Sequence, residues 1–210
     1  MALNPLRDRS ARKREQIRLA AQRLFLTAGV ASTSMDAITA EAGVSKQTVY
    51  AYYPSKEALL ADVLHTLVST RTVPWAGDQA GREPLGTRAE VERELLTLAD
   101  TVISTLMRPE YLGMARVVVT ESAHNPELGE LFRQQVAGPV IAGVAGILGR
   151  GIAGGALREV AVDEAARMLV GALLTFILLD GLLRPESPRQ PPAGTTGRVV
   201  ALLLDGLVRP

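Results

Sequence analysis

The chain of 210 residues contains no cysteine. This absence excludes disulfide bonds, thiolate metal sites and a cysteine nucleophile. Histidine is nearly absent too, since the chain has only His65 and His124. Neither has a second metal ligand or a catalytic-triad partner at a characteristic spacing. Glu121 and His124 form an i, i+3 pair, but such pairs on helices are usually solvated or structural. The sequence therefore predicts no enzyme, no bound metal and no cofactor.

Aromatic residues make up only 4% of the chain, whereas hydrophobic residues make up 47%, with Ala and Leu prominent. This composition favours an all-α protein. The N-terminal sequence MALNPLRDRSARKREQ has basic residues but no apolar stretch after them, so we expect no secretory signal and a cytoplasmic protein.

Charge is distributed unevenly along the chain. Residues 1–56 hold nine Lys or Arg against four Asp or Glu, a balance of +5, and the remaining residues hold 14 against 18, a balance of −4. A basic N-terminal region suits salt-dependent binding to DNA through counterion release. Such regions also occur in proteins that never touch DNA, so the charge alone is weak support.

The stretch from Thr33 to Leu60 predicts two short helices joined by a tight turn, followed by a third helix. Thr33 is the predicted N-cap of the first helix, and Asp36 completes the spacing of a capping box. Gly43 suits the positive φ at the C-terminus of this helix, and Ser45 is the predicted cap of the next. Two short helices around a glycine-containing turn are the signature of a helix-turn-helix.

The second of these helices, residues 46–53, carries more polar and aromatic groups than packing requires, and Val49 is its one aliphatic anchor. A polar helix face can reach base edges in the major groove, and hydroxyl groups can bind phosphates. We predict a groove contact or groove edge for Lys46, Gln47, Thr48, Tyr50 and Tyr52, phosphate contacts for Thr33, Ser34, Tyr53 and Lys56, and a place for the cap Ser45 in the same interface. The alternative interpretation is an ordinary helical hairpin with tyrosines in its core.

The run AGVSKQTVYAYYPSKEALL resembles the DNA-binding signature of the TetR/AcrR family of transcriptional regulators. The resemblance is close over residues 14–64 and weaker beyond them. Gln47 stands where many members have Gly, Ala51 where many have Arg, and Tyr53 where Phe is common. The resemblance implies an N-terminal three-helix DNA-binding domain and a helical domain that dimerises and binds an effector. It also implies that a ligand alters the spacing of two recognition helices on a pseudo-palindromic operator.

Apolar spacing along the rest of the chain predicts further helices. Residues 1–10 are expected to be disordered, and Asp163 is the expected cap of the most apolar helix. The predicted helices span about 11–28, 55–70, 89–107, 109–123, 126–147 with a kink or break at Pro139, 163–183 and 196–208. Residues 149–155, GRGIAGG, match the spacing of a dinucleotide-binding fingerprint, but they follow a helix and no βαβ pattern surrounds them. We therefore interpret these glycines as a connector between helices.

Val117, Val118 and Val119 in succession suggest burial on most sides of their helix. The helix at 163–183 has the length of a membrane span, but Arg167 and Asp180 interrupt it. We expect no membrane contact and instead a homodimer through the last two helices.

The predicted effector site consists of residues that core packing would use equally well. Its expected lining is apolar, with Arg116, Glu121 and His124 as polar partners, which would suit an apolar, flexible ligand. The candidate lining residues are Trp75, Met107, Tyr111, Met114, Val118 and Phe176.

These predictions combine into a ligand-responsive repressor. Residues 1–54 would bind a double-stranded DNA operator, and residues 55–210 would bind the effector and dimerise. Two alternatives stay open: a helical ligand-binding or scaffolding protein with a vestigial DNA-binding hairpin, and a small helical hydrolase or isomerase.

Overall fold

A computed structural model describes residues 5–69, 81–123 and 126–207. In these residues the chain is helical and forms no sheet, which confirms the predicted all-α class. The described helices are α1 (Pro5–Ala28), α2 (Met35–Ala42), α3 (Lys46–Tyr52), α4 (Lys56–Ser69), α5 (Arg88–Leu106), α6 (Pro109–Glu121), α7 (Pro126–Phe132), α8 (Gly138–Ala153), α9 (Val162–Phe176) and α10 (Thr195–Asp205).

Two helix starts differ from the sequence prediction. Helix α1 begins at Pro5, so the expectation of disorder is wrong for residues 5–10. Proline is favourable in the first helical turn, since its missing N–H would have no partner there. Helix α9 begins at Val162 with Ala161 at its N-cap, so Asp163 is not the cap. Asp163 lies in the first turn, where its negative charge interacts favourably with the positive end of the helix dipole.

The predicted break near Pro139 is confirmed, and it takes the form of a wider turn. A π-helical segment, Arg133–Ala137, lies between α7 and α8, and Pro139 is in the first turn of α8. A second π-helical segment, Ile177–Leu182, continues α9. Proline at the start of α8 lacks an N–H that this position would leave unpaired in any case.

The glycines of residues 149–155 are not simply a connector, because α8 continues through them to Ala153. Gly154 follows the helix, and a Cβ there would lie 2.1 Å from the carbonyl oxygen of Leu85. Only glycine permits that approach. The rejection of a dinucleotide-binding loop holds, since helices flank the segment on both sides.

The chain divides into two compact units, residues 1–70 with 113–132 and residues 71–112 with 133–210. These bounds differ from a division at residue 54, because α4 packs on α1, and α7 packs on α4. The division at residue 54 is a functional one and stays a prediction.

The first unit has a small core formed by α1 to α4, α6 and α7. Ile17 and Phe25 of α1 and Ile38 of α2 are at most 1% exposed. Val49 of α3 joins the same core. Of the three successive valines of α6, only Val118 is buried, and Val119 is 68% exposed. The expectation of burial on most sides of that helix is therefore wrong.

The second unit packs α5, α8, α9 and α10 around a larger aliphatic core that includes Leu95, Leu148 and Leu173. Helix α5 begins with a complete capping box, in which the Thr87 and Glu90 side chains each bind the other's backbone N–H. Among the described residues, one helical stretch, 162–182, is long and apolar enough to cross a membrane by length and composition alone. In this unit 39% of the most apolar part of that stretch is buried.

Candidate nucleic-acid interface

The helix-turn-helix is built by three local features. Ser34, not Thr33, caps α2, because the Ser34 hydroxyl oxygen accepts a hydrogen bond from the Ala37 N–H at 3.1 Å. Gly43 ends α2 with φ of 61°, a left-handed conformation that glycine adopts without strain. Ser45 caps α3 by accepting from the Thr48 N–H at 3.2 Å. The turn is therefore fixed by its own residues.

Helix α1 holds this turn from the other side. Gln16 donates a hydrogen bond of 2.6 Å to the carbonyl oxygen of Ala42, in the last turn of α2. Val44, in the turn itself, packs against the buried core of the unit. A helix C-terminus leaves carbonyl groups without partners, and a side-chain amide donor satisfies one of them.

Helix α3 has one buried residue, Val49, which is 0% exposed. Val49 faces the core, and the exposed side chains of α3 lie on the remaining sides of this short helix. Lys46, Gln47 and Tyr50 are exposed, whereas Thr48 and Tyr52 are half-buried. The outward face therefore presents an ammonium, an amide and a phenol, which are groups able to bind base edges and phosphates.

Two hydroxyl groups of α3 have partners in the protein. The Thr48 and Ser45 hydroxyls share a hydrogen bond of 2.8 Å, and the Tyr52 hydroxyl shares one of 3.0 Å with Ser10 of α1. Thr48 thus reinforces the cap of its own helix, and Tyr52 links α3 to α1. Both residues were predicted at the groove or its edge, and that prediction stays open.

Tyr53 was predicted to contact a phosphate, but its side chain lies in the core, with 2% of the residue exposed. Its hydroxyl donates to Asp62 at 2.5 Å and accepts from Arg14 at 3.2 Å. Arg14 also binds Asp62 at 2.9 Å and lies over the Tyr53 ring, 5.6 Å from its centre. Burial, followed by the bond to Asp62, raises the pKa of Tyr53 to about 12. Tyr53 therefore joins α1, α3 and α4 through its hydroxyl.

Thr33 and Lys56 were also predicted to contact phosphates, and both have hydrogen-bond partners in the protein. Thr33 is 3% exposed, and its hydroxyl donates to the carbonyl of Gly29 at 2.7 Å. The Lys56 ammonium donates to the carbonyls of Val30 and Thr33 at 2.7 and 3.1 Å. These bonds fix the connection between α1 and α2. The predicted phosphate contacts of both residues stay open, as the predictions for Thr48 and Tyr52 do.

Sequence reasoning did not identify the residues that hold the motif in place. Arg14, Gln16 and Asp62 all bind the helix-turn-helix or its C-terminal end. They lie on α1 and α4, 9 to 48 positions from the partners they bind. Only the position of Tyr53, where the related family commonly has Phe, gave a local signal, because a buried phenol needs a hydrogen-bond partner.

The residues predicted to line an effector site fall into two separate groups. Met114 and Val118 are buried in the core of the first unit, and Glu121 is half-buried at the end of α6 in that unit. Met107 is buried in the second unit, where Tyr111 and Phe176 are half-buried. Burial raises the pKa of Tyr111 above its usual value. Arg116 is half-buried, and Trp75 and His124 lie outside the described residues.

Within the described ranges, no three histidine, aspartate or glutamate side chains gather in a way that could hold a metal ion. The distinctive site of the first unit is the exposed face of α3, which carries polar groups on a short, rigidly held helix. In an all-helical chain, a capped helix-turn-helix with such a second helix defines a DNA-binding transcriptional regulator.

Sequence comparison gives the family. A sequence model of the bacterial regulatory proteins of the tetR family matches residues 17–63. A model of the C-terminal domain of AefR-like transcriptional repressors matches residues 93–204, more than half of the chain. The chain belongs to the TetR family of transcriptional regulators. No curated protein sequence matches it closely enough to count as a relative.

Solved structures agree with this assignment. A protein from Mesorhizobium loti described as a TetR-family transcriptional regulator is 25% identical, with a TM-score of 0.77 over 96% of this chain and 99% of its own. A TetR-family regulator from Pseudomonas syringae pv. tomato is 26% identical, with a TM-score of 0.72 over 94% and 97%. The flavonoid-responsive regulator FrrA is also 26% identical, with a TM-score of 0.70 over 94% and 98%.

Proposed function

We propose that the chain is a ligand-responsive repressor that binds a pseudo-palindromic operator as a homodimer in the cytoplasm and catalyses no reaction. The observation that carries the proposal is the outward face of α3, where Lys46, Gln47 and Tyr50 are exposed while Val49 anchors the helix. Residues 1–54 would supply the DNA contacts, and residues 55–210 would supply dimerisation and effector binding. Of the residues predicted to contact phosphates, Ser34 at the start of α2 is the exposed one.

The apolar surface of the second unit supports the homodimer. Large hydrophobic side chains that would otherwise face water lie on α9, on the π-helical segment after it, at the residue that ends this segment and on α10. They are Met168, Leu174, Leu178, Leu179, Leu183 and Leu202, each at least 43% exposed. The two helices precede and follow the proline-rich stretch 184–194, and paired with a second copy they would form a four-helix interface. Two-fold symmetry in the protein would match two half-sites in the operator.

An effector is supported less directly. FrrA is named as a flavonoid-responsive regulator, and it shares the fold at 26% identity. Met107, Tyr111 and Phe176, which were predicted to line the effector site, all belong to the second unit and stay candidates for binding an apolar ligand. A ligand that binds one dimer geometry better than another would weaken operator binding by that difference in affinity.

Fluorescence anisotropy with labelled DNA from upstream of the chain's own gene tests the proposal. The protein should bind this DNA as two protomers per site, tighter than scrambled DNA, with affinity that falls steeply as salt rises. Tyr50→Ala and Gln47→Ala should each weaken specific binding by about tenfold or more, since each removes an exposed group from α3. Thr27→Ala, on an exposed position of α1, is the control that should change nothing.

If the protein binds the upstream DNA no tighter than scrambled DNA, the next experiment is a genome-wide selection of bound fragments. A selection that enriched no common sequence would contradict the proposal. A protein that folds, dimerises and binds small molecules without any DNA preference would instead support the scaffold with a vestigial hairpin.

A further inference from the structure

The helix-turn-helix is poor in positive charge although the N-terminal region as a whole is basic. Residues 35–52 contain one basic residue, Lys46, and two acidic residues, Asp36 and Glu41. The basic excess belongs largely to residues 5–14, with five arginines or lysines against one aspartate. A recognition motif with a negative balance gains little from phosphate attraction by itself.

Lys46, the single cation of the motif, is bound to an acid. Its Nζ lies 2.6 Å from Oδ1 of Asp36, which joins the first turn of α3 to the first turn of α2. Both side chains face water, with 60% of Lys46 and 69% of Asp36 exposed. The bond to Asp36 also raises the pKa of Lys46.

Stability does not account well for this pair. Ion pairs between exposed side chains contribute little to folding, because both charges are well solvated when apart. Asp36 already stabilises α2 without any lysine, because its negative charge lies at the positive end of the helix dipole, and Ser34 caps the same helix. The position of the pair, at the exposed beginning of the helix proposed to enter the groove, has more consequence than its energy.

We propose that Asp36 is a specificity-determining residue that holds Lys46 away from phosphates and directs its ammonium to a base. This inference rests on the proposed function. On arbitrary DNA, a lysine at the start of α3 would bind the nearest phosphate, and the Asp36 carboxylate opposes this by competing for the ammonium and repelling the phosphate. On the operator, Asp36 occupies one of three ammonium protons, and the other two remain for acceptors such as guanine O6 and N7.

Asp36→Asn tests the inference, because it removes the charge and keeps the shape. Binding to scrambled DNA should tighten about threefold or more, and the slope of log K against log salt should steepen by about one, as expected for one additional phosphate contact. Operator affinity should stay the same or fall. The ratio of operator affinity to non-specific affinity should therefore decrease by at least the same factor.

Glu41→Gln is the matched control. Glu41 lies on the same helix, is half-exposed and also forms an ion pair, with Arg23 at 2.9 Å. The substitution adds the same unit of net positive charge at a different place. An equal effect of Glu41→Gln would mean that net charge alone is responsible, and this would contradict the inference.

The role of Lys46 is tested by combining substitutions. Because Asp36 acts through Lys46, Asp36→Asn should leave the affinity ratio unchanged in a Lys46→Ala background. A ratio that changes equally in both backgrounds, or in neither, would overturn the inference. Thermal unfolding of each variant excludes loss of folding as the cause of a change.

Failure of the inference and failure of the proposed function have different results. A wild-type protein with no operator preference contradicts the proposed function, whatever Asp36→Asn does. Unchanged non-specific affinity and salt slope in Asp36→Asn, with a wild-type protein that prefers its operator, contradict only the role of Asp36.

Discussion

Helix α3 and the helices α9 and α10 expose opposite kinds of side chain. In α3 the single aliphatic anchor is buried and the outward groups are polar, apart from the ring of Tyr50 and the methyl of Ala51. In α9 and α10 the core face is apolar as well, but large aliphatic groups such as Met168 and Leu202 remain 68% and 74% exposed. The first surface can be left in water, and the second favours burial against protein.

The difference is the one that the proposed function requires of the two surfaces. A surface that reads nucleic acid must stay hydrated until the partner arrives, so its hydrogen-bonding groups are polar and face outward. A surface that joins two protein copies gains free energy by leaving water. Substitutions on the polar surface of α3 should weaken operator binding, and a charge placed on the apolar surface of α9 and α10 should weaken dimerisation first.

The largest effect is expected where a charge enters the apolar surface. Leu202→Glu should weaken dimerisation by about 3 kcal/mol or more, because the carboxylate would be buried without a partner. Operator binding should fall by about a hundredfold, since two half-sites could no longer be bound together. Analytical ultracentrifugation and anisotropy measure the two changes.

Val119→Glu is the control for this substitution. Val119 is 68% exposed, nearly as much as Leu202, but it lies on α6 in the other compact unit. The variant should remain a dimer and bind the operator. Monomers from both variants, or from neither, would contradict the assignment of the interface to the last two helices.

Intermediate effects are expected from substitutions on the buried and the exposed side of α3. Val49→Ala should lower the free energy of unfolding by about 2 kcal/mol, because it removes two buried methyl groups and leaves a cavity. Gln47→Ala should change stability by less than about 0.5 kcal/mol, because the side chain is exposed. Its effect should appear in operator affinity alone. Denaturant titration and anisotropy on both variants would contradict this division if Gln47→Ala proved the more destabilising.

The smallest effect is expected from the hydroxyl of Tyr53. Tyr53→Phe keeps the ring in the core and leaves Asp62 bound to Arg14, so the free energy of unfolding should fall by about 1 kcal/mol at neutral pH. Denaturant titration measures this loss. A variant as stable as the wild type would show that the Arg14 to Asp62 ion pair is sufficient.

The same hydroxyl gives a pH dependence with a defined sign. Its pKa is about 12 in the folded chain, against an ordinary value of 10.0, so folding favours the protonated phenol. Its contribution is therefore complete below pH 10 and is lost as the pH rises toward 12. The stability difference between the wild type and Tyr53→Phe should shrink over that range. A constant difference would contradict a protonated, hydrogen-bonded phenol.

Local sequence patterns predicted the elements well. The Ser45 cap, Gly43 and the spacing of apolar residues depend on neighbours a few positions away, so the helix-turn-helix and the order of helices followed from the sequence, although the cap of α2 is Ser34 and not Thr33. The anchoring role of Val49 followed for the same reason, since the other positions of α3 are polar, aromatic or alanine.

The direction of side chains at helix ends could not be predicted in this way. Thr33, Tyr53 and Lys56 were all assigned to phosphates because their chemistry suits phosphates. In the folded chain their polar groups bind Gly29, Asp62 and the carbonyl of Val30, and the choice of these partners depends on how α1, α3 and α4 pack. The π-helical turns likewise depend on packing that the local sequence does not reveal.

The paired serine caps have a calorimetric consequence. Ser34 and Ser45 close the first turns of α2 and α3 by bonds within the chain, and Gln16 closes the end of α2. The motif therefore has its helical form before any DNA is present. Isothermal titration should give a heat capacity change that matches the surface buried between two preformed partners, without the additional negative contribution that accompanies folding on binding.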